Sequence, residues 1–319
     1  MSMRLKYRAE SRMKREIYSE RMREMVVMKL CTAVFAILSL AGGAFAAMPA
    51  KDTLIAHRGE CGEAPENTLP AYRLAVERGF GFECDVYLSK DGRVFTLHDN
   101  NFKSVTGGAC TNRCGDLAWS EIEKMDVGNW GRWKGSVFAG TRPALLEEVL
   151  DLARDGRMIV VEVKTGPVIV PAIKKVFDGQ RKANPGNVMF IAFDRNTCRA
   201  LKQQMPEYKT CCLFFSRKDW WTKASRPWRA DEVLAAIRYA GADGVDFQYT
   251  PEITTEELIG EIRKAGYEFH VWTVDRLEDT IEAFRRGAMT VTTNCAKRQY
   301  DAWSTAEKMI RHSNGSRIP

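Results

Sequence analysis

The stretch that decides the fold is Gly81-Phe82-Glu83-Cys84-Asp85-Val86-Tyr87-Leu88, then Ser89-Lys90-Asp91-Gly92, then Arg93-Val94-Phe95-Thr96-Leu97-His98. Both flanking segments have the composition of strands, and a four-residue link between them forces antiparallel pairing. Other apolar runs fall at 53–57, 158–163, 188–193, 210–215, 243–247, 267–274 and 288–292. Helical patterns lie between most of them, near 67–78, 144–154, 168–182, 195–204, 229–240, 254–265 and 276–286. Repeated βα units imply a parallel sheet. With 93–98 set aside as an appended hairpin arm, eight parallel strands remain, the number for a (β/α)8 TIM barrel. The alternative is a doubly wound open sheet, but no Gly-x-Gly-x-x-Gly follows a strand to support it. The Gly-, Trp- and Asn-rich stretch 99–143 is a small inserted cap segment, expected over the barrel mouth.

Working outward, Met1–Glu24 is basic and the following stretch to Ala46 is apolar. Ala44-Phe45-Ala46 before Ala47 has the small-x-small form of a signal-peptidase site. Leu30–Ala46 is short for a membrane span, which needs about 20 residues. The expectation is a 1–46 N-terminal extension plus signal peptide, a barrel domain over 47–319, export, and no stable membrane insertion after cleavage. The alternative is an uncleaved anchor through residues 25–46. Nine of the 48 basic residues and four of the 41 acidic ones leave with the leader, so the chain's +7 falls to +2. That balance gives no argument for nucleic acid as a partner. Eight cysteines remain of nine. Cys110 and Cys114, in a Gly-rich loop, are the best local candidates for a disulfide, and a lone C-x3-C is a poor zinc site.

The same stretch carries chemistry. Alternation along a strand puts Glu83 and Asp85 on one face. Two carboxylates without a counter-charge repel, so a cation or a proton must sit between them. Turning back at Asp91-Gly92 carries His98 to a position opposite the interval between Glu83 and Asp85. Barrel function gathers where strands end at the C-terminal face. His57 ends the first parallel strand, and Glu162 and Lys164 end the third. Three carboxylates suit a hard divalent cation, Mg²⁺ or Ca²⁺. Two histidines could share acid and base work, with Arg58 and Lys164 on phosphate oxygens. Each residue alone has a plainer reading: His57 as a core histidine, Glu162–Lys164 as a buried ion pair, Asn67-Thr68 as a helix cap, Trp272 as barrel filling. Their joint position at strand ends favours a site.

The block His57-Arg58-Gly59, Pro65-Glu66-Asn67-Thr68, Glu83-x-Asp85-Val86, Asp91-Gly92 and His98-Asp99 resembles the glycerophosphodiester phosphodiesterase family. Glu162-Val163-Lys164, Ala192-Phe193-Asp194, Val271-Trp272-Thr273-Val274 and Thr292-Thr293-Asn294 agree with it. The resemblance implies a (β/α)8 barrel with an insert, a divalent metal on Glu83, Asp85 and Glu162, and His57 and His98 as the acid/base pair. It implies hydrolysis of a small-molecule glycerophosphodiester to glycerol 3-phosphate and an alcohol. Asn294-Cys295-Ala296 departs from the family's usual Asp-x-Pro and leaves the last loop's conformation open. Trp272 could stack on the glycerol end, while Trp119, Trp130 and Trp133 read as packing within the insert, the alternative being contact with a lipid headgroup. Two further functions stay in view: phospholipase D-type cleavage of lysophospholipids or sphingomyelin on the same site, and a catalytically silent barrel that binds glycerophospho-ligands.

Overall fold

The computed structural model describes residues 50–154, 157–218 and 225–315, so the expected leader lies outside the described residues. Pro49–Lys297 forms one compact unit, and the chain from Arg298 belongs to a second. The elements run β1 (Leu54–Ala56), α1 (Leu69–Glu77), β2 (Gly81–Leu88), β3 (Val94–Thr96), α2 (Trp119–Ile122), α3 (Leu146–Leu150), β4 (Ile159–Val163) and α4 (Val170–Asp178). They continue β5 (Val188–Ala192), α5 (Arg195–Gln204), β6 (Lys209–Phe214), β7 (Arg217–Lys218), β8 (Ser225–Arg226), α6 (Ala230–Ala240) and β9 (Gly244–Gln248). The last are α7 (Glu256–Lys264), β10 (Glu268–Trp272), α8 (Leu277–Arg285), β11 (Val291–Thr293) and α9 (Ala296–Gly315).

Eight of these strands pair in parallel around a closed ring, β1-β2-β4-β5-β6-β9-β10-β11 and back to β1. The fold is the (β/α)8 barrel. β3 pairs antiparallel with Val86–Leu88, on the edge of β2 that β1 serves only at Gly81 and Phe82. The hairpin arm thus continues an edge that the three-residue β1 leaves open. Its loop holds Gly92 at φ 81°, a left-handed position that suits glycine. The Ser89 hydroxyl donates to Asp91, whose carboxylate also accepts the Trp119 N–H.

Both strand faces are buried. Inside, Ile55, Val160, Met189, Ile191, Cys211 and Leu213 form one cluster. Outside, Phe214, Phe247 and Phe269 stack across neighbouring strands, with centroids 4.7 and 5.2 Å apart. Such two-sided burial is why these strands read as continuous apolar runs. At the N-terminal end of the strands the interior is polar. Glu268 pairs with Lys209 and with His270, and the other ring nitrogen of His270 meets Thr290. Cys211 also converges on Glu268 and His270, but this group is a mutually satisfied plug rather than an open site.

The insert is more ordered than its composition suggests. Phe102, Val105, Leu117, Trp119, Ile122 and Val127 build a satellite core on Phe95 and Leu97. Trp119 packs there, as expected. The candidate Cys110–Cys114 disulfide is not formed: both are free thiols, Cys114 facing the Asp99 carbonyl and Cys110 facing Asn112. The short β7–β8 pair, α2 and α9 were not read from the sequence. Two- and four-residue elements show no periodicity, and α9 is dominated by polar residues.

Gly59 sits in the β1–α1 loop at φ 78°, where a Cβ would fall 2.6 Å from the Ala71 carbonyl carbon at the start of α1. Gly59→Ala should therefore lower stability by roughly 1–3 kcal/mol, the scale of a strained backbone position. Urea denaturation of the two proteins measures it.

Candidate active site

Every residue expected at the site converges on the C-terminal ends of the barrel strands. His57, Arg58, Glu83, His98, Glu162, Lys164 and Trp272 line one cavity of about 760 Å³. Asp85, fully buried, stands directly behind them. The arm's register brings His98 alongside Cys84, between the two carboxylates, because Leu97 N–H donates to the Asp85 carbonyl beyond the last β3 pair.

The loop after β1 is latched onto β2. Arg58 (φ 53°) donates its backbone N–H to Glu83 Oε2 at 2.9 Å, and Gly59 N–H donates to the Glu83 carbonyl. Its guanidinium reaches Glu66 at 2.9 Å and Asp85 at 3.5 Å. Lys164 lies 2.8 Å from Glu162 and 3.1 Å from Asp85. Asn67 does more than the expected capping. Its Nδ2 donates to Asp85 Oδ2 at 2.8 Å, while its Oδ1 accepts the Asp85 N–H and the Tyr72 hydroxyl. Thr68 is the N-cap of α1, yet its hydroxyl donates to the Pro65 carbonyl instead of capping. Asn67 is thus a strut that fixes Asp85.

Glu83, Asp85 and Glu162 place carboxylate oxygens within 4.8 Å of one another. Burial first, then Asp85 and Glu162, push the Glu83 carboxyl up; burial, then Asp85, pushes Glu162 up. Asp85 is held down to about 2: burial opposes this, and Lys164 and Arg58 overcome it. Glu83 Oε1 is buried with no hydrogen-bond partner, whereas Asp85 Oδ1 meets Lys164. Counting Glu66, four carboxylates face two cations among the described residues, Arg58 and Lys164. The unpartnered Glu83 oxygen and the excess negative charge fit a divalent cation bound there.

His57 Nδ1 lies 2.7 Å from Asn294 Oδ1, and Asn294 Nδ2 donates to Asp275 Oδ2. That network makes Nδ1 the donor and leaves Nε2 as an acceptor. Burial, then the Arg58 charge, lowers His57 to about 4, so the ring is neutral near pH 7. His98 Nδ1 lies 2.9 Å from Asp99 Oδ1, and Ser104 fixes the other Asp99 oxygen. The open question about the last loop has an answer in Asn294: an amide here orients His57 without adding charge. Asn294 and Asp275 were missed as positioning residues, although a polar side chain directly after the last strand of a barrel was the available signal.

The cavity's other side is apolar. Phe193 and Phe215 stack at 4.1 Å, and each meets Trp272 edge-on at 5.7 Å. Trp272 therefore both fills space and presents a surface to the cavity; its indole N–H donates to the Asp246 carbonyl.

The profile of the Glycerophosphoryl diester phosphodiesterase family matches residues 57–297, about three-quarters of the chain. The chain belongs to this family. A glycerophosphodiester phosphodiesterase of Caldanaerobacter subterraneus is 31% identical over 248 residues, covering 76% of this chain and 94% of the relative. One from Bacillus subtilis is 26% identical over 260 residues, covering 77% and 84%. Among solved structures, an Oleispira antarctica phosphodiesterase in complex with the product sn-glycerol-3-phosphate superimposes with a TM-score of 0.66 at 21% identity. It covers 79% of this chain and 96% of its own. Like other glycerophosphoryl diester phosphodiesterases, this protein is a phosphoric diester hydrolase on a TIM barrel.

Asn67→Leu should cost on the order of 1–3 kcal/mol for each buried group it strands, Asp85 N–H and the Tyr72 hydroxyl among them. A helix-capping role alone would cost about 1 kcal/mol. Thermal and chemical denaturation separate the two.

Proposed function

We propose that this protein hydrolyses glycerophosphodiesters to sn-glycerol 3-phosphate and an alcohol, with a divalent cation, Mg²⁺ or Ca²⁺, on Glu83, Asp85 and Glu162. The observation that carries the reading is the pair of histidines. Each has Nδ1 tied to a side-chain oxygen and Nε2 left for the cavity that the acidic cluster shares. The product named for the Oleispira relative supports the same substrate class.

Arg58 and Lys164 meet the phosphate oxygens, the first as a planar fork and the second as a point charge. The cation, when bound, supplies electrophilic stabilisation of the phosphoryl oxygens and removes the repulsion between carboxylates and substrate. Neutral His57 accepts at Nε2 a proton of the attacking water, whose oxygen forms the new bond to phosphorus. The P–O bond to the alcohol breaks, and His98 Nε2–H delivers its proton to the departing oxygen. Asn294 and Asp99 accept from Nδ1 of the two rings and hold their orientation. Trp272 covers the apolar face of the glycerol.

A panel of glycerophosphocholine, glycerophosphoethanolamine and glycerophosphoinositol, assayed for release of glycerol 3-phosphate, tests the reaction. Cleavage of lysophosphatidylcholine or sphingomyelin in place of these would overturn it in favour of phospholipase D chemistry. His57→Ala and His98→Ala should each lower kcat by about 10²–10⁴-fold with folding retained. Chelation should abolish activity, Mg²⁺ or Ca²⁺ should restore it and Zn²⁺ should do so poorly, since the shell is all oxygen. Glu162→Gln should behave as the chelated enzyme does. Full turnover in metal-free enzyme would remove the cation from the mechanism. We also read the protein as exported after cleavage near Ala47, which mass spectrometry of the mature N-terminus checks.

A further inference from the structure

One ionisable group on the cavity wall has no part in the reaction above. Asp246 lies on β9, in register with Leu213 of β6 and His270 of β10, and its residue is 2% exposed. Its Oδ1 is buried without a partner, and its side chain makes no hydrogen bond to protein among the described residues. It nevertheless lines the cavity, among Ile191, Leu213, Thr292 and Trp272. Ile191 and Leu213 are themselves 3% and 2% exposed, so this is the buried end of the site. Indole-to-carbonyl bonding from Trp272 fixes the Asp246 backbone there.

A buried polar group without a partner is unfavourable, and a ligand that supplies the partner removes the penalty. The cavity has two unlike ends. Toward the insert it is polar and more exposed, with Asp99, Asn100 and Asn101, and it adjoins a second depression lined by Lys103 and Ser104. That end has room for an alcohol that varies from substrate to substrate. The buried end is small and apolar apart from Asp246 and Thr292, and suits the constant three-carbon moiety. We infer that Asp246 selects glycerol: its carboxyl hydrogen-bonds a glycerol hydroxyl at the buried end, while the departing alcohol lies toward the insert. A carboxyl in either protonation state can bond a hydroxyl, so the contact does not depend on titration. The inference rests on the glycerophosphodiester reading and adds to it the residue that distinguishes glycerol from other C3 groups.

A site built to bond a hydroxyl rejects an analogue that lacks it far more strongly than an apolar pocket does. The test compares glycerophosphoethanolamine with propyl phosphoethanolamine, the same diester without the glycerol hydroxyls. It uses wild type, Asp246→Ala and Asp246→Asn, each checked for folding by circular dichroism. Wild type should favour the glycerol diester in kcat/KM by about 10²–10⁴-fold. Asp246→Ala should lose most of that preference, falling at least about 100-fold on the glycerol diester and only a few-fold on the propyl one. Asp246→Asn, which still bonds a hydroxyl, should keep much of it. Calorimetric binding of glycerol 3-phosphate against propyl phosphate to wild type gives a readout that survives if Asp246→Ala fails to fold. Equal losses on both substrates, or equal binding of the two phosphates to wild type, would overturn the role of Asp246 and leave the proposed reaction standing. A wild type inactive on every glycerophosphodiester would overturn both.

Discussion

Repulsion between buried carboxylates organises this molecule. Glu83, Asp85 and Glu162 arise on the adjacent strands β2 and β4, Asp85 in register with Glu162 and Glu83 one inward position earlier, with their oxygens within 4.8 Å of one another. In a medium of low polarity, like charges at such separations are strongly unfavourable unless compensated. Each neighbouring segment answers part of that problem. The β1–α1 loop turns back so that Arg58 gives Glu83 a backbone N–H and sends its guanidinium toward Asp85. Lys164 sits between Asp85 and Glu162, and Asn67 clamps Asp85 from below the arm. What remains uncompensated is negative charge at the cavity, the condition a divalent cation would relieve.

The arm and the insert serve the same end by different means. A parallel barrel delivers functional groups only from strand ends and the loops after them. An antiparallel hairpin on β2 adds a second histidine beside the carboxylates without disturbing the ring. The Thr96 hydroxyl donates to the Asn67 carbonyl, tying the arm to the strut that holds Asp85. The insert then builds its own core on Phe95 and Leu97, so the arm is buried from outside and His98 and Asp99 start from a rigid base. Arg132 of the insert donates to the Cys61 carbonyl, closing the insert onto the loop that carries His57.

The two histidines differ in their orienting partners. His57 leans on an amide and His98 on a carboxylate. The Asn294 amide oxygen accepts from His57 Nδ1, while burial and the Arg58 charge keep that ring neutral near pH 7. The Asp99 carboxylate accepts from His98 Nδ1 and is itself held by Ser104. Any difference between the two rings is thus built from neighbours, since the imidazoles themselves are chemically identical.

The sequence by itself determined the barrel and most of its site. Period-2 and 3.6 patterns are local, a four-residue link leaves no choice but a hairpin, and residues at i and i+2 must share a face. Strand ends on a barrel must also meet at one rim. Contacts across the barrel were a different matter. Asn67 looked like a cap because the residues near it in sequence make a helix start, whereas its partners are Asp85 and Tyr72. Cys110 and Cys114 looked paired because they are close along the chain, but their side chains face different neighbours. Asn294 looked like a disturbed loop until His57, 237 positions away, was seen to depend on it. Asp246 drew no notice in Gly244-Val245-Asp246-Phe247, since only closure of the ring makes the inward face of β9 a cavity floor. Local sequence fixes backbone periodicity, but a side chain's hydrogen-bond partner is chosen by whatever packing brings within about 3 Å.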